Sequence, residues 1–320
     1  MCLLTQYYPL SFNCMILGFF LGFGISLGFL SGILGSFSIV CCSIFFAVLL
    51  CSGAFQIIPM IDTVEQWIQK TFPSMKHTIT EHVRKCYDVD VRDEKVKDSR
   101  PKLYLFHPHG VLATALNFHI LTRMTDWPIR PMKAAILSKF LLYPFSREIF
   151  ERIGAVPSDY GSMKGVLEGG ESLGVSIGGS SEVKYAESKK MILLCKSRRG
   201  IFKMALETGT PLVPVLVYGE DDVYTQTNAT FVKYLNSLTE QKGFRLNIPS
   251  LSSCYKMFQF FSGKTEVHVK TVLGSPLDVE KVDNPTEEDI ECVRGRYIEG
   301  LKQLYAETKP ADYEEEITFV

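Results

Sequence analysis

Two histidines end a short apolar run, where their spacing and neighbours favour acid–base chemistry. Residues 103–110 read Leu-Tyr-Leu-Phe-His-Pro-His-Gly. The apolar run is typical of a buried strand, and the proline and glycine force a turn at its end. His107 and His109 are therefore expected at a rigid strand-to-helix corner, and an imidazole exchanges protons near neutral pH. A metal-binding pair, or two hydrogen-bonded structural histidines, would leave the same local pattern.

The elements that must position this corner alternate between strand and helix patterns. Thr286 and Asp289 form the start of a capping box, and an amphipathic helix follows them. Strands that alternate with helices indicate an α/β domain. The sequence further predicts strands near 102–106, 132–137, 191–196, 211–218 and 266–272, helices near 111–124, 139–153 and 200–208, and a glycine-rich stretch at 161–179.

A long uncharged segment precedes this domain. Residues 12–58 contain no Asp, Glu, Lys, Arg or His, which is enough for two membrane passes of roughly 20 residues each. Gly32 and Gly35 are suitable turn residues between the passes, although a single pass or one long tilted helix remains open. The first lysine or arginine of the chain is Lys70, so the positive-inside rule places the C-terminal part in the cytosol.

These patterns divide the chain into three parts. We expect a membrane hairpin over residues 1–60, an interfacial helix and charged linker over 61–100, and a cytosol-facing domain over 101–320. The helix of the second part spans 61–75, and a helix that faces the core would show the same periodicity. Residues 88–101 are highly charged and predict an exposed linker.

Composition excludes several classes of protein. The formal net charge of −1 argues against general nucleic-acid binding. The nine cysteines form no CxxC pair, and four of them lie in the apolar segment, so a disulfide framework or a zinc site is not expected.

The motifs then resemble those of one family. His107-Pro108-His109-Gly110 resembles the HPHG signature of the type 2 diacylglycerol O-acyltransferases, a family that includes monoacylglycerol acyltransferases and wax synthases. Further matches follow in the family's order over about residues 100–310: Gly178 to Glu182 with its GGxxE motif, Lys196 to Leu206 with its KxRxGF-type segment, Leu212 to Asp222, Val272 to Leu277, and Asn284 to Thr286.

The resemblance implies a fold and an activity. The fold would be a glycerolipid-acyltransferase-like mixed sheet flanked by helices, preceded by the membrane hairpin. The enzyme would transfer a fatty acyl chain from acyl-CoA to a lipid hydroxyl, with diacylglycerol favoured as acceptor and monoacylglycerol or a wax alcohol as alternatives. Acyl-CoA is already an activated thioester, so the reaction needs no metal or further cofactor. The implied location is the endoplasmic reticulum membrane, often near lipid droplets.

Site residues follow from the same comparison. His109 is the expected base and His107 its support. Distant relatives carry an HxxxxD motif, in which Asp orients the base, but here Thr114 holds the Asp position, so Glu182 is the candidate for orienting the imidazole. Gly110, Gly178 and Gly179 are expected at turns that approach the oxyanion. A cluster that suits the CoA phosphates, or that forms only a solvated basic face, consists of Lys196, Arg198, Arg199 and Lys203. Glu220 to Asp222 could hold a metal, but a solvated loop is expected there, and His119 is expected to be structural.

Two other classes of protein share some of these features. A membrane-anchored hydrolase would use the two histidines with acids as a metal site, and a silent lipid-droplet scaffold would keep the motifs without turnover. The expected partners are acyl-CoA, a lipid alcohol and membrane lipid, with no nucleic acid; a homo-oligomer remains open.

The hairpin makes a prediction about topology. Glycosylation tags inserted at residue 1 and after residue 100 should both remain unmodified in cells, because a two-pass hairpin leaves both ends in the cytosol. The electrophoretic mobility of each tagged protein, with and without glycosidase, measures this. Modification of either tag would overturn the hairpin.

Overall fold

The computed structural model describes residues 73–141, 147, 150–225, 230–240, 250–261, 264 and 266–320. The predicted membrane hairpin, and residues 61–72 of the predicted interfacial helix, lie outside the described residues. Among the described helices, none is both long and apolar enough to cross a membrane.

The elements alternate between strands and helices in chain order. The α-helices are α1 (Pro73–Cys86), α2 (Thr114–Leu116), α3 (Tyr160–Glu168), α4 (Arg199–Thr208), α5 (Glu220–Val223), α6 (Thr230–Glu240), α7 (Leu251–Phe261) and α8 (Glu287–Thr308). The strands are β1 (Tyr87–Val91), β2 (Leu103–His107), β3 (Met132–Ile136), β4 (Ala155–Pro157), β5 (Ser172–Ser176), β6 (Ile192–Leu193), β7 (Leu212–Tyr218), β8 (Val269–Leu273) and β9 (Thr318–Phe319).

Seven strands form one mixed sheet in the order β1-β8-β7-β2-β5-β3-β4. β2 lies at its centre and pairs in parallel with β5 and β7. Only the β7–β8 pair is antiparallel among these strands. The predicted mixed α/β sheet with flanking helices is therefore confirmed, whereas the likeness to glycerolipid acyltransferases stays a prediction.

Helices cover both faces of the sheet, and the alternation along β2 shows how. Leu103 and Leu105 pack into one apolar cluster with α4 and α8, whereas Tyr104 and Phe106 pack into a second cluster with α1 and α7. Because successive side chains of a strand point to opposite faces, His107 belongs to the first face. The last residue of β2 is therefore directed at α8.

The charged linker predicted over residues 88–101 is wrong in its first part. Tyr87–Val91 is an edge strand that pairs in parallel with β8, and Glu94–Lys97 forms a 3₁₀ turn. The strand alternates Tyr87, Val89 and Val91 with two aspartates, a period of two that the high charge obscured. The sheet therefore begins before residue 101.

Other elements differ from the prediction in extent. The predicted helix at 111–124 is short: α2 continues into a π-helical turn, Asn117–Leu121. The glycine-rich stretch 161–179 contains most of α3 and all of β5. The strand predicted at 191–196 is only β6, which pairs with β9 outside the main sheet. The capping box at Thr286 and Asp289 is confirmed at the start of α8.

Candidate active site

The predicted site lies at one edge of the sheet, where three neighbouring strands end. β2 ends at His107, β5 runs into Gly178 and Gly179, and β7 runs into Gly219 and Glu220. The three strands are adjacent and parallel, so their carboxyl ends meet at the same edge. In open α/β sheets, this edge forms the crevice in which ligands bind.

His107 is a buried anchor. Its side chain is inaccessible, and its Nε2 lies 2.9 Å from the hydroxyl of Tyr297 on α8. Burial lowers the pKa of His107 to about 3, so the ring is neutral at physiological pH. The hydrogen bond joins the end of β2 to the C-terminal helix, which agrees with a supporting role.

His109 follows one residue beyond Pro108, through a cis His107–Pro108 peptide bond, and is half-buried. Its ring Nδ1 lies 2.6 Å from the carbonyl oxygen of Gly110, which can only accept, so Nδ1 carries the proton and donates. The tautomer leaves Nε2 with a free lone pair. Burial lowers the pKa of His109, and the Arg198 charge lowers it further, against the opposing effect of the Gly110 carbonyl. A neutral imidazole with a free Nε2 is the form that accepts a proton.

Glu182 contacts the turn that carries His109 through the backbone, which corrects the expected contact with the imidazole. Glu182 as a whole is 2% exposed. Oε1 accepts a hydrogen bond from the backbone N–H of His109 at 2.6 Å, and Oε2 accepts one from the N–H of Leu194 at 2.7 Å. Burial raises the pKa of Glu182, against hydrogen bonds that lower it. Glu182 thus holds the turn, and the Gly110 carbonyl orients the ring.

Two of the predicted glycines make room for carboxylates. A Cβ at Gly178 would overlap the carboxylate of Glu182, and one at Gly110 would lie 2.6 Å from Cγ of Glu220. Gly110 also has a φ of +58°, a backbone conformation that residues with a side chain rarely adopt. Among the described residues, the backbone N–H groups of Gly110 and Val111 donate to no backbone carbonyl.

The four predicted cations have different partners. Arg198 donates from Nη2 to the carbonyl oxygen of Gly178 at 2.5 Å, so it belongs to the site. Arg199 forms ion pairs with two glutamates of α8. The remaining contacts are Lys203 Nζ at 3.6 Å from Glu207, and Lys196 Nζ at 5.7 Å from the centre of the Phe319 ring. Only Arg198 among them contacts the turns of the site.

Unsatisfied polar atoms gather at the same edge. Six buried side-chain nitrogen or oxygen atoms of the described residues have no hydrogen-bond partner, and four of them belong to residues at this edge. Buried polar groups without partners are rare in native structures, and a bound ligand is one explanation for them. The four atoms are His107 Nδ1, Ser176 Oγ, Arg198 Nε and Asp221 Oδ1.

Two features of the site were missed or misjudged from the sequence. Glu220 is 2% exposed, so the solvated loop predicted for it is wrong. Tyr297 lies in the amphipathic helix that was predicted to follow the capping box, but its hydroxyl contact with His107 was not foreseen. The signal for Glu220 is its place one glycine beyond the apolar strand β7, as His109 lies one proline beyond the end of β2. The structural role of His119 is confirmed: its nitrogens lie 2.7 Å from Thr125 and Thr271 hydroxyls.

Comparison with known proteins agrees with these motifs. The sequence profile described as diacylglycerol acyltransferase matches residues 43–318. The mouse 2-acylglycerol O-acyltransferase 1 is 28% identical over 254 residues, which are 76% of this chain and 74% of the mouse protein. Diacylglycerol O-acyltransferase 2 of Dictyostelium discoideum is 29% identical over 65% of this chain and 66% of its own length.

A third relative is named for a different acceptor, a wax alcohol. The human acyl-CoA wax alcohol acyltransferase 2 is 29% identical over 66% of each chain. The matched profile spans most of the chain, and it includes the strand ends at which His107, His109, Glu182 and Arg198 meet. This chain belongs to the diacylglycerol acyltransferase family.

Proposed function

We propose that this chain is a membrane-bound, acyl-CoA-dependent O-acyltransferase that transfers a fatty acyl chain to a lipid hydroxyl. The favoured acceptor is diacylglycerol, which gives triacylglycerol; a monoacylglycerol or a long-chain alcohol are the alternatives that the relatives' names support. The observation that carries the proposal is the contact between Nδ1 of His109 and the carbonyl oxygen of Gly110, which places the ring proton on Nδ1 and leaves Nε2 to accept a proton.

The reaction follows from that geometry. Nε2 of His109 accepts the proton of the acceptor hydroxyl as its oxygen attacks the thioester carbonyl carbon. The tetrahedral intermediate then expels the CoA thiolate, which takes the proton from the imidazolium, so the base is restored. General base catalysis of this kind contributes roughly 10²- to 10⁴-fold.

Backbone groups at the turn would support the intermediate. The N–H groups of Gly110 and Val111 lie directly after the base, where they can donate to the developing oxyanion. These N–H groups would stabilise the negative charge of the intermediate with donors that are already in place.

The location of the enzyme is part of the proposal. The uncharged segment 12–58 supports anchoring in a membrane, and Lys70 and the cations after it support a catalytic domain in the cytosol. The endoplasmic reticulum, with access to lipid droplets, is the location that the family resemblance implies. A lipid acceptor dissolved in the bilayer would then reach a site tethered at its surface.

The product formed in cells tests this function. Cells that lack neutral-lipid synthesis are supplied with labelled fatty acid and express either the wild type or His109→Ala. We expect labelled triacylglycerol with the wild type, and a loss of at least roughly 10²-fold with His109→Ala, because the base is absent. Chromatography of the extracted lipids identifies and quantifies the ester.

The control is His107→Ala, since His107 contacts Tyr297 and not the reacting atoms. Per folded molecule, it should retain more activity than His109→Ala. No labelled ester of any alcohol from the wild type would refute the function, and greater activity in His109→Ala than in His107→Ala would reverse the two roles.

A second prediction concerns CoA binding. Arg198→Ala should raise the apparent KM for acyl-CoA by about ten-fold, roughly the loss of one charge-assisted hydrogen bond, and change the KM for the acceptor less. Arg199→Ala is the matched control, because its guanidinium is already paired with Glu287 and Glu291. Initial rates in detergent–lipid micelles measure both constants. Equal changes in the two KM values, or a larger effect of Arg199→Ala, would remove the phosphate-binding assignment of Arg198.

A further inference from the structure

Both carboxylate oxygens of Glu220 accept hydrogen bonds from the start of α2. Oε1 accepts a hydrogen bond from the backbone N–H of Thr114 at 2.5 Å, and Oε2 accepts one from the N–H of Ala115 at 2.9 Å. The Thr114 hydroxyl lies 3.0 Å from each carboxylate oxygen. The carboxylate therefore replaces a local helix cap from a position 106 residues away in the chain.

A distant cap is needed because the local sequence provides none. The N-cap residue of α2 is Ala113, which has no side-chain acceptor and a φ of +48°. The first N–H groups of a helix lack intrahelical partners and need acceptors when they are buried. The hydroxyl of Tyr87 also donates to Thr114 Oγ1 at 2.9 Å, which completes the buried chain of hydrogen bonds.

The residues that Glu220 holds, Thr114 and Ala115, end the short segment that begins at His109. Gly110 passes directly over Glu220, since a Cβ there would be 2.6 Å from Glu220 Cγ. The Gly110 carbonyl accepts the Nδ1 proton of His109, and the N–H of Ala113 donates to the His109 carbonyl at 3.0 Å. The start of α2 thus fixes one end of the segment, and His109 lies at the other.

We infer that Glu220 is a positioning residue for His109: by holding Thr114 and Ala115, it keeps the Gly110 carbonyl against Nδ1 of the base. This inference rests on the proposed function, in which His109 is the base. Thr114 occupies the position at which an HxxxxD motif carries its aspartate. In this chain Thr114 instead forms hydrogen bonds with Glu220. Glu220 therefore acts on the orientation of the His109 ring only through the backbone between Gly110 and Ala115.

The ionised carboxylate is the form that fits this position. A protonated carboxyl, or the amide of glutamine, would turn a donor towards a backbone N–H that is itself a donor. Burial raises the pKa of Glu220 to about 7, against the hydrogen bonds from Ala115 and Thr114 that lower it. Glu220→Gln therefore removes one acceptor while the shape of the side chain is kept.

The experiment compares Glu220→Gln with two further variants in the full-length protein. Thr114→Val removes the hydroxyl but keeps both backbone donors. Asp289→Asn is the matched control, because it also converts a capping carboxylate to an amide. Asp289 lies at the start of α8 and lines a cavity together with Pro211, which precedes the opposite end of β7. kcat and KM for acyl-CoA are measured, and saturable binding of labelled oleoyl-CoA counts the folded sites.

We expect Glu220→Gln to lower kcat per binding site by about 10- to 100-fold, part of the contribution of a general base, with KM for acyl-CoA within about three-fold. Thr114→Val should lose less, and Asp289→Asn should keep the wild-type kcat per site. A kcat for Glu220→Gln within about two-fold of wild type, or one that falls only with the number of binding sites, would overturn the inference.

Wild type and His109→Ala are measured beside these variants to separate the two claims. Active wild type, inactive His109→Ala and active Glu220→Gln would leave the proposed function standing and refute the positioning role alone. Inactive wild type would refute both.

Discussion

The turn that carries His109 depends on the buried carboxylate of Glu182. Glu182 is almost inaccessible, yet it accepts hydrogen bonds from the backbone N–H groups of His109 and Leu194. A buried charge is costly unless such partners satisfy it, so the turns that carry these groups must keep their positions. Gly178 follows from the same constraint, because a side chain there would overlap the carboxylate. The family's GGxxE pattern thus has a steric and an electrostatic reason in this chain.

The two histidines differ because of where the sheet places them. His107 still obeys the alternation of β2, so it points into the face that α8 covers and meets Tyr297. His109 lies beyond the strand, where the backbone turns and its ring bonds to Gly110. The His107 ring is consequently fixed and fully buried, whereas the His109 ring is held through one nitrogen and is only half-buried. Two histidines that are only two residues apart therefore have different environments.

The sequence predicted those parts that local patterns determine. The apolar runs predicted β2 and β7, and the capping box predicted the start of α8. The two histidines lie at the carboxyl-terminal end of β2, as expected. Long-range contacts were not predictable, since no local pattern shows that Glu220 caps a helix 106 residues earlier or that Glu182 accepts backbone N–H groups. β1 was missed because its aspartates raised the charge of a strand at the sheet edge, where one side remains open to solvent.

The central claim is that His109 is neutral, with its Nε2 free. Diethyl pyrocarbonate acylates neutral imidazole, so the pH dependence of enzyme inactivation and mass spectrometry of the peptides test it directly. The account predicts that His109 is modified in step with inactivation, that His107 is not, that acyl-CoA protects, and that the apparent pKa is below the ordinary 6.5. Inactivation without modification of His109, or an apparent pKa at or above 6.5, would contradict it.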